Sequence, residues 1–232
     1  MITAMFLAHL VGDYILQWNS LAAWKAREMK GVFFHCVIVL FVTWLFILPI
    51  NPGWWMWALF IGVMHFIIDS VQLKINLPVS PLARFSFDQV AHFIVIVFAL
   101  AAGGYLDLAY VGINIQNSLQ SDRLLLFLLA YAFITMPAWV VVKFTVYGLV
   151  NGSAPDFNGN SKYLAMLERV LMTTFVALGQ FFLVPLVILP RLMMEWPNVV
   201  RQQDTAVYLA ELLASVTLAV GVGLLLNLLI AA

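Results

Sequence analysis

Long apolar runs separated by short polar connections make up most of this chain. A helix that crosses a bilayer needs about 17 to 25 mostly apolar residues, and runs of this size recur along the whole sequence. Because lipid offers the backbone no hydrogen-bond partners, such runs are expected to be helices. We therefore predict an all-α polytopic transmembrane bundle of about seven spans, at residues 2–18, 31–48, 54–76, 85–106, 123–147, 161–189 and 205–230.

Composition supports a membrane protein. Of the 232 residues, 64% are hydrophobic and 9% charged, and the mean hydropathy is +1.01. Soluble domains are about half apolar and a quarter charged. We predict a single transmembrane domain over residues 1–232, whose first helix is retained because it lacks the basic region of a cleaved signal. Basic and acidic residues balance at 11 each without a basic run, which argues against a nucleic-acid partner.

The basic residues also predict an orientation. With the N-terminus outside, seven would lie on the cytoplasmic side and three on the other, which favours N-out/C-in by the positive-inside rule. We expect the three basic residues nearest the first span, Lys25, Arg27 and Lys30, to contact phospholipid headgroups. The cytoplasmic set is Lys25, Arg27, Lys30, Lys74, Arg84, Lys143 and Lys162, and the outer set is Arg123, Arg191 and Arg201.

All four histidines lie in the first 92 residues, and three of them have an aspartate four positions away. A spacing of four residues places two side chains on one face of a helix. With alternating helix directions and a rise of about 1.5 Å per residue, these groups fall in one slab roughly 5–17 Å from the cytoplasmic interface. The pairs are His9 with Asp13, His65 with Asp69 and Asp88 with His92, and His35 is unpaired.

Ionisable groups inside a membrane are rare and usually functional. Imidazole and carboxylate are ligands for zinc, iron and manganese, and we expect zinc first. One metal could be bound with each aspartate orienting a histidine, or two metals could share a carboxylate. The predicted ligands are His9, Asp13, His35, His65, Asp69, Asp88 and His92.

Other polar residues could support this site. Glu168, at the same predicted depth in the sixth helix, is a candidate ligand or catalytic general base, and Arg169 could pair with an acidic group or an anionic substrate. Gln17, Gln72 and Gln89 could hydrogen-bond to the ligands or join helices. Cys36, the single cysteine, excludes an intrachain disulfide and is expected to pack in the core.

Two packing features are also predicted. The Met136–Pro137 step should kink the fifth span, and the sixth contains Pro185 and ends at Pro190, so a kink is expected there too. Ser215, Ala219 and Gly223 recur every four residues and form a small-residue face for close helix packing, which we expect within the bundle.

The motifs resemble those of a bacterial family of integral membrane proteins of unknown function. Its members open with HLLGD-x-x-LQ and carry H-F-x-I-D and D-Q-x-x-H, where this chain has HLVGDYILQ, HFIID and FDQVAH. The resemblance implies a bacterial inner-membrane protein and covers nearly the whole chain, including YLAMLERVLMTTFVALGQ. Many members have a second histidine where this chain has Val39. The motif style is also similar to membrane-bound metal-dependent hydrolases.

Three functions remain open from the sequence. The first is metal-dependent hydrolysis of a lipid or other amphipathic substrate at the membrane interface. The second is a proton- or ion-coupled transporter component in which the His–Asp pairs relay protons. The third is an accessory subunit of a larger membrane complex, with a structural metal or only structural polar pairs.

Overall fold

The computed structural model describes residues 1–75, 78–151, 155, 157, 161–201 and 205–231. Within these residues the chain is helical and contains no strand, which confirms the all-α prediction. Short 3₁₀ turns at Pro52–Trp54, Leu108–Tyr110 and Phe181–Leu183 precede helices, and π-helical turns follow at Val11–Ile15 and Tyr147–Asn151. The helices are α1 (Ile2–Leu10), α2 (Asn19–Lys25), α3 (Met29–Ile47), α4 (Trp55–Lys74), α5 (Pro81–Ala102), α6 (Val111–Ser121), α7 (Arg123–Ile134), α8 (Met136–Val146), α9 (Ser161–Ala177), α10 (Val184–Arg201) and α11 (Thr205–Ala231).

Among the described residues, four helices are long and apolar enough to cross a membrane, and they coincide with four of the predicted spans. They are Met29–Ile47, Pro52–Lys74, Pro81–Ala102 and Thr205–Ala231. A fifth candidate is Arg123–Ile134 joined to Met136–Val150, interrupted at Thr135 beside the predicted Met136–Pro137 kink. The first predicted span is the shorter apolar helix Ile2–Ile15. The count of seven spans and their orientation stay predictions.

The predicted sixth span is divided into two helices. α9 ends at Ala177, and Gly179 then adopts a φ of 74°, a left-handed conformation that suits glycine and commonly ends a helix. The sequence predicted a kink from Pro185, but the interruption lies at Gly179. Pro185 lies in the first turn of α10, where its missing N–H removes no helical hydrogen bond.

The described chain forms two compact units. The first contains Met1–Val79 and Ala83–Ala132, and the second contains residues 80–82 and Phe133–Ala232. The single transmembrane domain over residues 1–232 stays a prediction.

The first unit alternates the direction of its four main helices. The N-terminal parts of α1 and α4 and the C-terminal parts of α3 and α5 pack around one apolar core. The four histidines lie on the other side of this core along the same helices. The core residues are Ala4, Met5, Ile47, Trp54, Ala58, Ile61, Ile96, Ala99 and Leu100.

In the second unit, α9 packs closely against the small-residue face of α11. Ser215, Ala219 and Gly223 are buried, and the Thr173 hydroxyl donates to the Ala219 carbonyl at 3.1 Å. A Cβ on Gly223 would lie 2.6 Å from Cβ of Val176, so a larger residue would separate the helices. The small-residue face therefore serves packing inside the bundle, as predicted.

Candidate metal centre

The site begins with a change of helix type at the end of α1. The backbone widens from α-helical to π-helical at Val11–Ile15, and the Leu16 N–H donates to the Val11 carbonyl, five residues back. π-Helical turns rotate the following side chains relative to an α-helix and are frequent at functional sites. Asp13 lies inside this turn, so its carboxylate stays 4.0 Å from His9 and reaches His35 at 3.0 Å.

The carboxylates of Asp13 and Asp69 meet the imidazoles of α3 and α4. Nε2 of His35 lies 3.0 Å from Asp13 Oδ1 and 3.7 Å from Asp69 Oδ2. Nε2 of His65 lies 3.6 Å from Asp13 Oδ1 and 3.5 Å from Asp69 Oδ2. The two Nε2 atoms are 3.2 Å apart. All four side chains are buried, with residue exposures of 7% or less.

Five of the six distances among these four ligand atoms are close to those in a zinc site, and Asp13, His35 and His65 form a group within 4.8 Å that could hold a cation. Zinc binds nitrogen and oxygen ligands at about 2.0 Å, which places neighbouring ligand atoms of a tetrahedron about 3.3 Å apart. The five distances above run from 3.0 to 3.7 Å. The alternative that each aspartate orients the histidine of its own helix stays a prediction, since Asp69 and Asp88 lie 3.5 Å from His65 and His92, respectively. Asp13 and Asp69 also present oxygens to the Nε2 atoms of His35 and His65, which lie on two helices.

Lys25 joins the same cluster, which corrects the prediction that it contacts headgroups. Its Nζ lies 2.8 Å from Asp69 Oδ2 and 3.7 Å from Asp13 Oδ1. Burial lowers the pKa of Lys25, but the Asp13 and Asp69 carboxylates outweigh it and the pKa is raised above its usual value. The side chain retains 21% exposure, so Lys25 lies between the buried cluster and the surface.

Lys25 reaches the cluster because α2 folds back against α3. A Cβ on Gly31 would lie 2.5 Å from the Trp24 carbonyl carbon and 2.6 Å from the Lys25 nitrogen, so glycine permits this approach. Gly31 is a weak sequence signal, because a glycine near a helix start has many uses. Cys36 is buried in the core, as predicted, but its contact with the cluster was not predicted: its Sγ lies 3.7 Å from Asp69 Oδ2.

Gln89 links three of the predicted ligands, in line with its predicted supporting role. Its amide nitrogen donates to Asp13 Oδ2 at 3.3 Å and to Asp88 Oδ2 at 3.0 Å. Its amide oxygen lies 3.4 Å from Nε2 of His9 and can accept from that ring. In this arrangement His9 faces Gln89, while His35 and His65 face the two carboxylates.

The last pair, Asp88 and His92, lies on the other side of Asp69. Nδ1 of His92 lies 3.0 Å from the Asp88 backbone carbonyl and 3.5 Å from Asp88 Oδ1. Nε2 of His92 lies 3.9 Å from Asp69 Oδ1, and its ring centroid is 4.1 Å from that of His65. The structure therefore brings together all seven ligands predicted from the sequence.

Glu168 and Arg169 belong to the second unit and make contacts there. Glu168 accepts a hydrogen bond from Arg191 at 2.9 Å. Arg169 is 1% exposed and donates to the carbonyls of Ile134 and Thr135 and to the Ser215 hydroxyl. These bonds assign Arg169 a structural role at the interruption between α7 and α8. The catalytic role of Glu168 stays a prediction.

The predicted roles of Gln17 and Gln72 gain no support. The helix ends at Ile15, so Gln17 does not continue the helical stripe of His9 and Asp13. Its buried Oε1 has no hydrogen-bond partner. The Gln72 backbone carbonyl accepts a hydrogen bond from Arg84.

A family model described as "Protein of unknown function (DUF3307)" matches residues 1–136. The chain belongs to this family. The match contains every residue of the His/Asp cluster, together with Lys25, Cys36 and Gln89. No curated protein and no solved structure matches the chain significantly.

Val39, the position where the motif resemblance predicted a departure from the family, lies one turn after His35 and is 1% exposed. Its Cγ2 would lie 3.2 Å from a Cβ on Gly12, so it fills the space between α3 and the π-helical turn. In this DUF3307 protein the position serves packing beside the cluster.

Proposed function

We propose that the cluster binds a divalent transition metal and that the protein is a metal-dependent hydrolase of a lipid or other amphipathic substrate. Zinc is the first choice, and iron or manganese are alternatives with the same ligand types. The observation that carries the proposal is the group formed by Asp13, His35 and His65, whose ligand atoms lie within 4.8 Å of one another, with Asp69 Oδ2 3.7 and 3.5 Å from Nε2 of His35 and His65.

Charge also supports a cation at this position. The cluster contains three carboxylates, those of Asp13, Asp69 and Asp88, and one ammonium, that of Lys25. With neutral imidazoles its formal charge is −2. Buried charges are costly unless they are paired, so such a cluster attracts cations.

The surroundings of Lys25 support an amphipathic substrate. Trp18 lies at the start of the helix that ends at Lys25, and Trp24 directly precedes Lys25. They are 52% and 38% exposed and pack against Phe34 with ring centroids 6.5 Å and 6.0 Å away. Exposed tryptophans with apolar neighbours are typical of membrane–water interfaces. A substrate with an apolar tail could lie along this surface while its polar group reaches Lys25.

Each residue has a defined task in this proposal. Asp13, His35 and His65 would hold the cation with Asp69 beside it, and where the site leaves a coordination position open the cation would supply a lowered pKa to water and polarise the bond to be cleaved. Gln89 holds Asp13 in place by donating a hydrogen bond to its Oδ2 atom. Lys25, at the exposed side, donates hydrogen bonds to an anionic group of the substrate. In the overall reaction one water is consumed, and an ester yields one acid and one alcohol.

We place this site in the bacterial inner membrane, in the half of the bilayer that faces the cytoplasm, with the N-terminus outside. The lipid bilayer is then both the surroundings of the protein and the source of its substrate. The excess of basic residues on the predicted cytoplasmic side supports this orientation.

Metal content is the direct test. Protein purified in detergent without chelator should contain at least one equivalent of zinc, iron or manganese by elemental analysis, and the double variant His35→Ala/His65→Ala should lose it. Asp107→Asn is a matched control, because Asp107 caps a 3₁₀ turn through a hydrogen bond that asparagine retains. Wild-type protein that neither contains a transition metal nor takes one up would contradict the proposal.

Hydrolysis requires a separate assay. Metal-loaded protein would be incubated with mixed micelles of bacterial phospholipids, and products would be identified by mass spectrometry. We expect a released headgroup or fatty acid with wild-type protein and with Asp107→Asn, and none with Asp69→Asn. Bound metal without any such product would support the metal site but contradict the proposed hydrolysis of those phospholipids.

A further inference from the structure

The two carboxylate oxygens of Asp69 face different sets of groups. Oδ2 faces His35, His65 and Lys25, at 3.7, 3.5 and 2.8 Å. Oδ1 faces Nε2 of His92 at 3.9 Å. The carboxylate therefore lies between the proposed first metal site and a second group of potential ligands.

The hydrogen bond at the other ring nitrogen determines the state of His92. Nδ1 lies 3.0 Å from the Asp88 backbone carbonyl, which can only accept, so Nδ1 carries the hydrogen. Nε2 of the neutral ring is then a bare lone pair. A histidine that donates one N–H to a backbone carbonyl and leaves the other nitrogen bare is in the form that binds metals.

This lone pair is buried without a partner. His92 is 3% exposed, and its Nε2 makes no hydrogen bond. Its nearest carboxylate oxygen, Asp69 Oδ1, is also an acceptor, and 3.9 Å is beyond hydrogen-bond distance. Two acceptors that face each other in a buried site require a cation or a donor between them.

Asp88 supplies a further acceptor beside His92. Its Oδ2 accepts from Gln89, but its Oδ1 is buried and makes no hydrogen bond. Ligand atoms of Asp69, Asp88 and His92 lie within 4.8 Å of one another. Three groups that can bind a metal thus meet here.

We propose a second divalent-cation site formed by Asp69 Oδ1, Asp88 and His92 Nε2, so that Asp69 bridges two metal ions. This inference rests on the proposed function, because it assigns the first ion to the site on the Oδ2 side of Asp69. Hydrolases with two metal ions commonly hold them about 3.5–4 Å apart, a separation that a bridging carboxylate allows. Asp88 and His92 belong to this second position.

Counting bound zinc tests the second site. Metal-stripped protein would be loaded with Zn²⁺ in detergent, freed of excess zinc and analysed for zinc and protein. We expect two equivalents for wild type and for Asp107→Asn, one for His92→Ala, and fewer than one for Asp69→Asn. If His92→Ala does not give monodisperse protein, the isosteric Asp88→Asn replaces it, with one equivalent expected.

Manganese gives an independent readout. Two Mn²⁺ ions bridged by one carboxylate couple magnetically, so wild-type protein loaded with Mn²⁺ should show the paramagnetic resonance spectrum of a coupled pair. His92→Ala should show only isolated Mn²⁺. A coupled spectrum in wild type that persists in both His92→Ala and Asp88→Asn would overturn the assignment of this site.

The outcomes separate the two proposals. One equivalent of zinc in wild type, unchanged in His92→Ala, overturns the second site and leaves the first intact. Absence of bound metal in wild type overturns both. Two equivalents in wild type with one lost in His92→Ala supports the bridged pair.

Discussion

Lys25 is the residue whose position differs most from the site predicted from the sequence, because it contacts the predicted metal ligands Asp13 and Asp69. Its ammonium lies 2.8 Å from Asp69 Oδ2, an oxygen that we assign to the first metal. A lysine and a divalent cation cannot both bind that oxygen closely without strong repulsion. In the metal-free protein Lys25 therefore compensates part of the negative charge, and metal binding must displace its ammonium.

Replacing Lys25 by methionine should strengthen metal binding. The variant removes both the competing ammonium and its repulsion of the cation, and we expect a Kd for Zn²⁺ about tenfold lower, equivalent to about 1.4 kcal/mol. The measurement is a competition titration against a fluorescent zinc chelator in detergent. Lys30→Met is the matched control, since Lys30 is exposed on the next helix. Unchanged or weaker zinc binding in Lys25→Met would show that the lysine does not compete.

At the scale of helices, the contact between α2 and α3 sets the position of Lys25. Gly31→Ala places a methyl group 2.5 Å from the Trp24 carbonyl carbon, so α2 must move and carry Lys25 away from Asp69. We expect tighter zinc binding, as in Lys25→Met, and a loss of metal-free stability of about 1–3 kcal/mol. Zinc titration and denaturation in detergent measure both effects.

Two further variants test this explanation of Gly31→Ala. Gly221→Ala is the control, because a Cβ there meets nothing within 4 Å and alanine suits a helix better than glycine. In the Lys25→Met background, Gly31→Ala should give no additional gain in zinc affinity. An additive gain would mean that Gly31 acts on the ligands by another route.

Arg169 stabilises the interruption between α7 and α8. Helix ends leave carbonyls without helical partners, and the guanidinium of Arg169 donates to those of Ile134 and Thr135. Arg169→Met should leave these buried carbonyls unsatisfied and lower the free energy of unfolding by about 3 kcal/mol. Arg169→Lys should recover only part of this lost stability, because a single ammonium cannot reach both carbonyls as the two nitrogens of the guanidinium do. Unfolding in mixed detergent micelles gives the comparison, and undiminished stability in Arg169→Met would contradict this role.

Helical periodicity predicted the members of the cluster, but not their bonding. The three His–Asp pairs and the alternation of helix directions are regular features, so the sequence located His9, His65 and His92 at one end of the bundle. The π-helical turn that directs Asp13 to His35 has no such regular signal. The approach of Lys25 depends on the contact with Gly31 that only the assembled helices create.

The predicted spans show the same limit. Apolar length correctly located α3, α4, α5 and α11, because a span needs a continuous apolar run. It could not locate the break at Gly179, since Leu178–Gln180 lies inside an apolar stretch and Pro185 gave a stronger but misleading signal. Glycine conformation depends on how the chain continues beyond the helix.

For the whole molecule, the family match and the division into units nearly coincide. The match ends at residue 136, and the first unit ends at Ala132. All proposed metal ligands lie in that first unit, whereas Glu168 and its partner Arg191 lie in the second. Metal binding should therefore depend on substitutions in the first unit and be insensitive to Glu168.

Thermal stability gives the final test. Zinc that binds only the folded protein at one hundred times its Kd adds about 2.7 kcal/mol per site. For a chain of this size, the Tm should then rise by about 5–10 °C per occupied site. We expect this rise in wild type and in Glu168→Gln, whose starting Tm is lower because the bond to Arg191 is weakened, and no rise in Asp69→Asn. Fluorescence-detected melting in detergent measures it. A rise in Asp69→Asn equal to that of wild type would show that zinc binds elsewhere, and its loss in Glu168→Gln would show that Glu168 contributes to zinc binding.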